Sequence, residues 1–175
     1  MTTKQQGLTL VELMVTLAVA IILVAVGMPL FTGIAANNRA VAQTNALITA
    51  LNLARSEAVG RGTTVSVCSS ASSPPGATPA CGDATQWVNG WFVFTDTGTA
   101  GLVDGTDERL RIWEAPAGNP VIAVTGAAWA RFGDTGAVDA SSAFQLGQSD
   151  ATGNQIRCVT VANTGNIRTV RGACS

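Results

Sequence analysis

An apolar run near the N-terminus constrains this chain more than any other feature of its sequence. It extends from Leu8 to Met28 and contains one charged residue, Glu12. A helix of about 20 residues spans roughly 30 Å, the thickness of the hydrocarbon core of a bilayer. A secretory signal peptide has a shorter apolar region that ends at a small-residue cleavage site, whereas this run passes directly into Pro29. We therefore expect a membrane-spanning helix.

Glu12 is the residue that a plain membrane anchor does not explain. A carboxylate inside an apolar span is costly unless it finds a partner, so it is a functional candidate by default. Pro29 follows the run directly. Because proline removes one helical hydrogen bond, we expect a kink or a local unwinding of the helix at this membrane edge.

The segment around Glu12 resembles the cleavage motif of type IV prepilins. A short polar leader, MTTKQQG, is followed by L-T-L-V-E-L, which places a glutamate five residues after the glycine. The resemblance implies that prepilin peptidase cuts between Gly7 and Leu8 and that the new amine of Leu8 is methylated. It also implies that Glu12 pairs with the N-terminal ammonium of a neighbouring subunit in a filament. Such pairing is strong in a low dielectric and selects the register between helices.

The helix is expected to continue past Pro29 to about residue 60, where Gly60 and Gly62 end it. Apolar residues in this half recur with roughly helical spacing and predict one stripe that packs on a sheet. The stripe consists of Ile34, Val41, Leu47, Leu51, Ala54 and Ala58.

The remainder of the chain reads as short strands separated by turns rich in glycine, aspartate and asparagine. Predicted strands cover 63–68, 87–94, 109–113, 120–125, 128–132, 156–161 and 166–171. Many short strands after one long helix predict an α+β fold, with an antiparallel sheet packed on the helix.

Segments spread along the chain resemble the GspH/FimT family, which includes minor pilins of type IV pili and the minor pseudopilin of type II secretion. The resemblance rests on L-A-R-S-E-A-V-G-R-G (53–62), N-G-W-F-V-F-T-D (89–96), D-G-T-D-E-R-L-R (104–111) and T-G-N-I-R (164–168).

That resemblance implies the type IV pilin fold and a single pass through the bacterial inner membrane. Residues 1–7 are then the leader, 8–28 the spanning half of the helix, 29–60 its amphipathic half, and 61–175 a periplasmic β-rich domain. The implied partners are other major and minor pilins, which bind through the N-terminal helix, and prepilin peptidase.

The composition argues against an enzyme. The chain has no histidine and no tyrosine, and only 12% of its residues are charged. The commonest general base and metal ligand is therefore missing. We expect no catalytic residue, no cofactor and no small-molecule substrate. The net charge of −1 also predicts no general attraction to nucleic acid or anionic lipid.

Four cysteines allow three disulfide connectivities, with metal binding as the rival interpretation. Zinc is disfavoured because the sequence has no C-x-x-C and no histidine. Local pairing is favoured, with Cys68 joined to Cys81 and Cys158 joined to Cys174. Oxidised cysteines would place the domain on the periplasmic side.

A glycine-rich acidic loop offers a second candidate site. Asp96, Asp104 and Asp107 could hold Ca²⁺ through oxygen ligands. The favoured interpretation is a solvated loop in which aspartate side chains cap the turns.

The C-terminal tail is locally basic. Residues 151–175 contain Arg157, Arg168 and Arg171 and no acid. The FimT branch of the family is known for DNA capture through a basic G-R-x-R motif, where this chain has G-N-I-R. Three arginines could contact phosphates of double-stranded DNA, but arginines that protect a strand edge from pairing explain them equally.

The sequence thus predicts a minor type IV pilin that acts in pilus assembly or priming. The first alternative is a DNA-binding minor pilin for uptake in natural transformation. The second is a minor pseudopilin of type II secretion.

Overall fold

The computed structural model describes residues 9–118, 120–148 and 155–174, without the side chains of 28–32. The chain divides into two compact units, Met1–Ala35 and Ala36–Ser175. Both units contain part of one helix, α1 (Leu10–Arg61). Gly62, with a φ of +65°, follows α1 directly, so the helix ends where the glycines predict.

Eight strands and one short 3₁₀ helix (Gln86–Asn89) follow α1 in the described part of the chain. The strands are β1 (Val65–Ser69), β2 (Trp91–Thr95), β3 (Arg109–Trp113), β4 (Pro120–Gly126), β5 (Trp129–Phe132), β6 (Ser142–Gln148), β7 (Arg157–Val161) and β8 (Ile167–Arg171). They form two antiparallel four-stranded sheets, in the orders β3-β2-β1-β5 and β4-β6-β7-β8.

The predicted α+β class is confirmed, but the predicted single sheet is two sheets. Strand β6 was not predicted, although it lies in the interior of the second sheet, between β4 and β7. Its buried Phe144 and Leu146 alternate with the half-buried Ala143 and Gln145. That alternation is the signal of a half-buried strand, and the small residues around it obscured the signal.

The buried face of α1 in the second unit is made largely of small side chains. It comprises Ala36, Ala40, Gln43, Thr44, Leu47, Ala50, Leu51, Ala54 and Ala58. Ile34 and Val41 were predicted to lie in the buried stripe, and both predictions are wrong, because their side chains are 58% and 36% exposed. One residue after Ala40, Val41 is rotated by about 100° around the helix axis. Alanines instead fill most of the buried positions of the helix.

One core joins α1 to both sheets. Leu47 and Leu51 from the helix lie in the same buried cluster as Val67 of β1 and Val159 of β7. Trp87 lies among them, with its ring 4.8 Å from that of Phe144 in an edge-to-face arrangement. Such aromatic pairs add about 0.5–1.5 kcal/mol beyond their buried area.

The opposite face of the first sheet has a small core of its own. Cys68, Phe92 and Phe94 are buried there and contact Cys81 and Trp129. Every residue of β1 and β2 is therefore buried, as is usual for strands covered on both faces.

Candidate functional site

The first candidate feature is the start of α1. Thr9 precedes the helix, and its Oγ1 accepts a hydrogen bond of 3.3 Å from the backbone N–H of Glu12. Thr9 and Glu12 have the spacing of a capping box, T-x-x-E, so the helix begins with a satisfied N–H group. The sequence interpretation missed Thr9, although this spacing could have found it. Gly7 and Leu8, the predicted cleavage site, lie outside the described residues.

The helix that follows is apolar and exposed. Residues Leu10–Gly27 form the one described helix that is long and apolar enough to cross a membrane, by length and composition. Its large side chains are exposed, including Val11, Leu13, Leu17 and Ile22. Glu12 is exposed as well. Exposure of this surface to water would be unfavourable.

Pro29 does not end the helix. Backbone position 29 is helical and lies inside α1. Its side chain is not among those described, so the expected kink stays a prediction.

The four cysteines form two disulfides in the second unit. Cys68 is joined to Cys81 and Cys158 to Cys174, the two pairs that the sequence predicts. They close segments with sequence separations of 13 and 16 residues. Loops of this length correspond to about 3 kcal/mol in the chain-entropy model. Cys174 is held further, because its N–H donates to Gln145 Oε1 at 3.2 Å.

The acidic loop between β2 and β3 uses its carboxylates to hold its own backbone. Asp107 Oδ1 accepts hydrogen bonds from the N–H and the hydroxyl of Thr97, at 3.1 and 3.0 Å. Its Oδ2 accepts one from the N–H of Asp104 at 3.1 Å. Burial raises the pKa of Asp107, but the N–H groups of Thr97 and Asp104 outweigh it and lower the pKa below its usual value.

Asp96 is separate from that pair and fully buried. Its Oδ2 accepts hydrogen bonds from Ser66 Oγ at 2.5 Å and from the N–H of Gly101 at 2.8 Å. Its Oδ1 lies 3.7 Å from Arg131 Nε. Asp96 thus fixes the loop to β1 and β5.

These contacts agree with the favoured interpretation, in which aspartate side chains hold the turns of the loop. No group of three or more acidic, histidine or cysteine side chains within the described ranges could hold a metal ion. Asp104 Oδ2 accepts a hydrogen bond from the N–H of Thr99 at 3.1 Å, so each of the three carboxylates binds a different part of the loop backbone.

The three tail arginines do not form one surface. Arg157 is buried, and its Nη2 donates to Asn37 Oδ1 at 2.7 Å, which ties β7 to α1. Arg171 lies opposite Arg157 on β8 and is exposed. Arg168 is exposed too, but three positions along a strand place it on the other face of the sheet. Arg157 is therefore engaged with α1, apart from the two exposed arginines. DNA binding by the tail stays a prediction.

The glycine of the T-G-N-I-R segment has a structural role. Gly165 has a φ of +74°, and a Cβ at this position would lie 1.7 Å from the carbonyl oxygen of Gly136. The adjacent turns are joined by a hydrogen bond of 3.0 Å from the N–H of Val138 to the carbonyl of Asn163. Because Gly165 has no Cβ, the turn between β7 and β8 can contact the turn that follows β5.

Family comparison accounts for both parts of the chain. Residues 43–165, more than half of the chain, match the family described as type II transport protein GspH. Residues 2–28 match the prokaryotic N-terminal methylation motif, a segment that includes Glu12. The chain belongs to the GspH family.

Two crystal forms of type IV minor pilin FimU from Pseudomonas aeruginosa PAO1 share the fold of this GspH-family chain. The first is 17% identical, with a TM-score of 0.56, and the match covers 75% of this chain and 87% of FimU. The second is 16% identical, with a TM-score of 0.53, and covers 74% and 90%. A comparison with curated protein sequences finds no match. The predicted type IV pilin fold is confirmed.

The GspH-family match also assigns the two halves of the chain. The chain is a type IV pilin or pseudopilin, with an apolar N-terminal anchor and a C-terminal β domain. Members of this class assemble with other pilins through the N-terminal helix.

Proposed function

We propose that this chain is a minor type IV pilin, a structural subunit of a filament based in the inner membrane. In this proposal it takes part in assembly or priming of the pilus, with its C-terminal domain in the periplasm. The observation that carries the proposal is one exposed apolar helix with one carboxylate, Glu12, joined to a GspH-family domain.

The exposed helix gives the physical basis for assembly. Before assembly, lipid covers the side chains of Leu10–Gly27. In a filament, the same side chains pack against helices of neighbouring subunits. Packing alone does not fix the axial position of one helix relative to the helix of a neighbouring subunit, because apolar side chains fit one another in many positions. Glu12 removes that freedom, since its carboxylate is stable in an apolar surrounding only beside a positive charge.

The positive charge is supplied by a neighbouring subunit after processing. Cleavage after Gly7 by prepilin peptidase creates an ammonium on Leu8, which remains cationic when methylated. The ammonium then pairs with Glu12 of an adjacent subunit. The bond to Thr9 uses the backbone N–H of Glu12. Its exposed carboxylate is therefore available for this partner.

A test of the proposal is Glu12→Ala, with Thr16→Ala as the matched control. Both positions are exposed on the same helix, and the Thr16 hydroxyl donates to the carbonyl of Leu13 at 2.9 Å. The Glu12 variant should insert into membranes as well as the native chain, because its span is more apolar. Its abundance in sheared filaments should fall, while Thr16→Ala is incorporated normally. Normal incorporation of Glu12→Ala would refute the pairing mechanism.

Processing has its own test. Intact-mass measurement of membrane-extracted chain should show loss of residues 1–7 and one added methyl group. Recovery of filaments whose subunits retain Met1 would contradict the proposal.

Two related functions remain candidates. The GspH description favours a minor pseudopilin of type II secretion, and a deletion strain distinguishes it by loss of exoprotein export with normal piliation. Exposed Arg168 and Arg171 favour DNA binding during uptake, and the salt dependence of duplex binding distinguishes that function.

A further inference from the structure

The half-buried side chain of Arg55 packs against turns of both sheets. Arg55 is the arginine of the L-A-R-S-E segment (53–57) on α1. A Cβ at Gly136, in the turn that follows β5, would lie 3.0 Å from Arg55 Nε. A Cβ at Gly165, between β7 and β8, would lie 3.4 Å from the same atom. The two turns therefore restrict the conformations of this side chain.

Arg55 differs from the other arginines of limited exposure. Arg109, Arg131 and Arg157 are half-buried or buried, and each donates a hydrogen bond to a carbonyl or an amide oxygen. In the ranges that the structure describes, no hydrogen bond or ion pair is found for the Arg55 guanidinium. Its neighbours three and four positions away on α1 carry no carboxylate. Because arginine is always charged, this positive charge is left without a counter-charge from those neighbours.

Arg55 also lines an open groove along α1. The groove runs from Thr49 to Gly60, and Arg55 is the one charged residue among those that line it. The side chains of Thr49, Asn52 and Ser56 in this groove donate to carbonyls of α1 at 2.7, 3.0 and 2.9 Å. Those hydrogen bonds stay within the helix, whereas the guanidinium keeps its donors for a molecule that enters the groove.

The guanidinium requires an anion, and the groove favours a single carboxylate. The planar fork of N–H donors matches the two oxygens of a carboxylate in a bidentate pair. A phosphate has suitable oxygens too, but a nucleic acid gains its affinity from several phosphates bound at once. Because Arg55 is the only charged residue that lines this described groove, a nucleic acid would gain little there. One carboxylate is balanced by one guanidinium.

We propose that Arg55 binds the carboxylate of an aspartate or glutamate from a neighbouring pilin-class subunit, which packs along this groove of α1. The inference rests on the proposed filament function, because that function brings other pilin subunits against this chain. The same packing would cover Val59, which lines the groove and is 52% exposed. A partner that excludes water from the groove lowers the local dielectric, so the ion pair there is stronger than one on an open surface.

Site-specific photo-crosslinking of the full chain in native membranes tests the site. A benzophenone side chain in place of Asn52, which is exposed in the groove, should cross-link to an aspartate- or glutamate-containing peptide of a neighbouring pilin subunit. The matched control is Asn38, which is exposed on the same helix outside the groove and should not give this peptide. An adduct with nucleic acid at 52, a peptide without an acid, the same peptide at both positions, or no adduct would overturn the proposal.

Exchange of the charges gives an independent measurement. Arg55→Gln should lower incorporation into filaments about fivefold or more, because the carboxylate of the partner is left without its counter-charge. Arg39→Gln is the control, since Arg39 is exposed on the same helix outside the groove, and it should be incorporated normally. Equal melting temperatures of the two variants show that both are folded.

Charge reversal separates the ion pair from a loss of folding. Arg55→Glu should also be lost from filaments, and replacement of the cross-linked acid of the partner by arginine should restore it. Failure of the exchanged pair to restore incorporation would refute the proposal. If Arg55→Gln is incorporated normally while Glu12→Ala is not, the carboxylate site is refuted and the pilin function stands.

Discussion

Gly165 shows how much of this fold depends on one absent side chain. Its positive φ and the carbonyl of Gly136 both exclude a Cβ. The T-G-N-I-R segment, which contributes to the family resemblance, is thus explained by packing at the turn between β7 and β8. Its arginine, Arg168, is free of that constraint and is exposed.

Replacement of Gly165 with alanine should therefore destabilise the domain by about 2–4 kcal/mol, from left-handed backbone strain and the clash together. Urea unfolding of the detergent-solubilised chain measures the change. Gly76→Ala is the control, because Gly76 is exposed and a Cβ there meets no atom within 4 Å. Equal unfolding midpoints for the two variants would show that the turns of the two sheets can separate without loss.

At the scale of elements, the loop between β2 and β3 should make stability depend on acid. The folded pKa of Asp107 lies below its unfolded value, because burial is outweighed by hydrogen bonds from Thr97 and Asp104. The contribution of Asp107 to the free energy of unfolding is complete above its unfolded pKa, about 4. This contribution is lost as the pH falls through the lower pKa of the folded state. In Asp107→Asn, stability should fall less steeply below about pH 4 than in the native chain.

Thermal melting between neutral and acidic pH checks this expectation. Glu114→Gln is a suitable control, since no described N–H donates to the Glu114 carboxylate and it is outside the loop. An unchanged pH profile in Asp107→Asn would contradict this expectation, because it would mean that ionisation of Asp107 is not coupled to folding.

The elements also show what the sequence could and could not specify. The apolar run, the helix end at Gly62 and most strands follow from local patterns, and so do the two consecutive cysteine pairs. The buried face of α1 was predicted incorrectly at Val41 because it uses alanines, and alanine is equally suited to either side of a helix. The separation into two sheets depends on contacts distant in sequence, such as Val138 with Asn163, which no local pattern encodes.

In the candidate sites, too, some residues could be recognised from local sequence patterns and others only from tertiary contacts. Glu12 was recognisable from its unusual position in an apolar run, and the structure adds Thr9 beside it. The three arginines looked like one site because they are near one another in sequence. Strand alternation places Arg168 and Arg171 on opposite faces, and only tertiary packing shows that Arg157 is buried against Asn37.

For the whole molecule, the burial of Arg157 and the placement of Arg168 and Arg171 on opposite faces of the sheet predict weak DNA binding at most. If Arg168 and Arg171 each release counterions from one phosphate, the slope of log K against log salt should be no steeper than about −1.8. Arg168→Ala should make it shallower by about 0.9. Arg157→Ala should leave the slope unchanged and lower the melting temperature instead, because it removes the bond to Asn37.

Binding of the chain to a labelled duplex across a salt series measures these slopes. A steeper slope, or one that responds to Arg157→Ala, would show that the arginines act together in the bound state. If the chain does not bind the duplex at low salt, only a structural role remains for these arginines.

The cysteine connectivity has a consequence for biogenesis. A chain that crosses a membrane from its N-terminal side exposes its thiols in the order 68, 81, 158, 174, and each native pair is also a pair of successive arrivals. An oxidase that joins thiols in the order in which they emerge would therefore form both native disulfides directly, without a non-native intermediate. Cys68 would be occupied before Cys158 appeared, so maturation of this chain would require an oxidase but no disulfide isomerase.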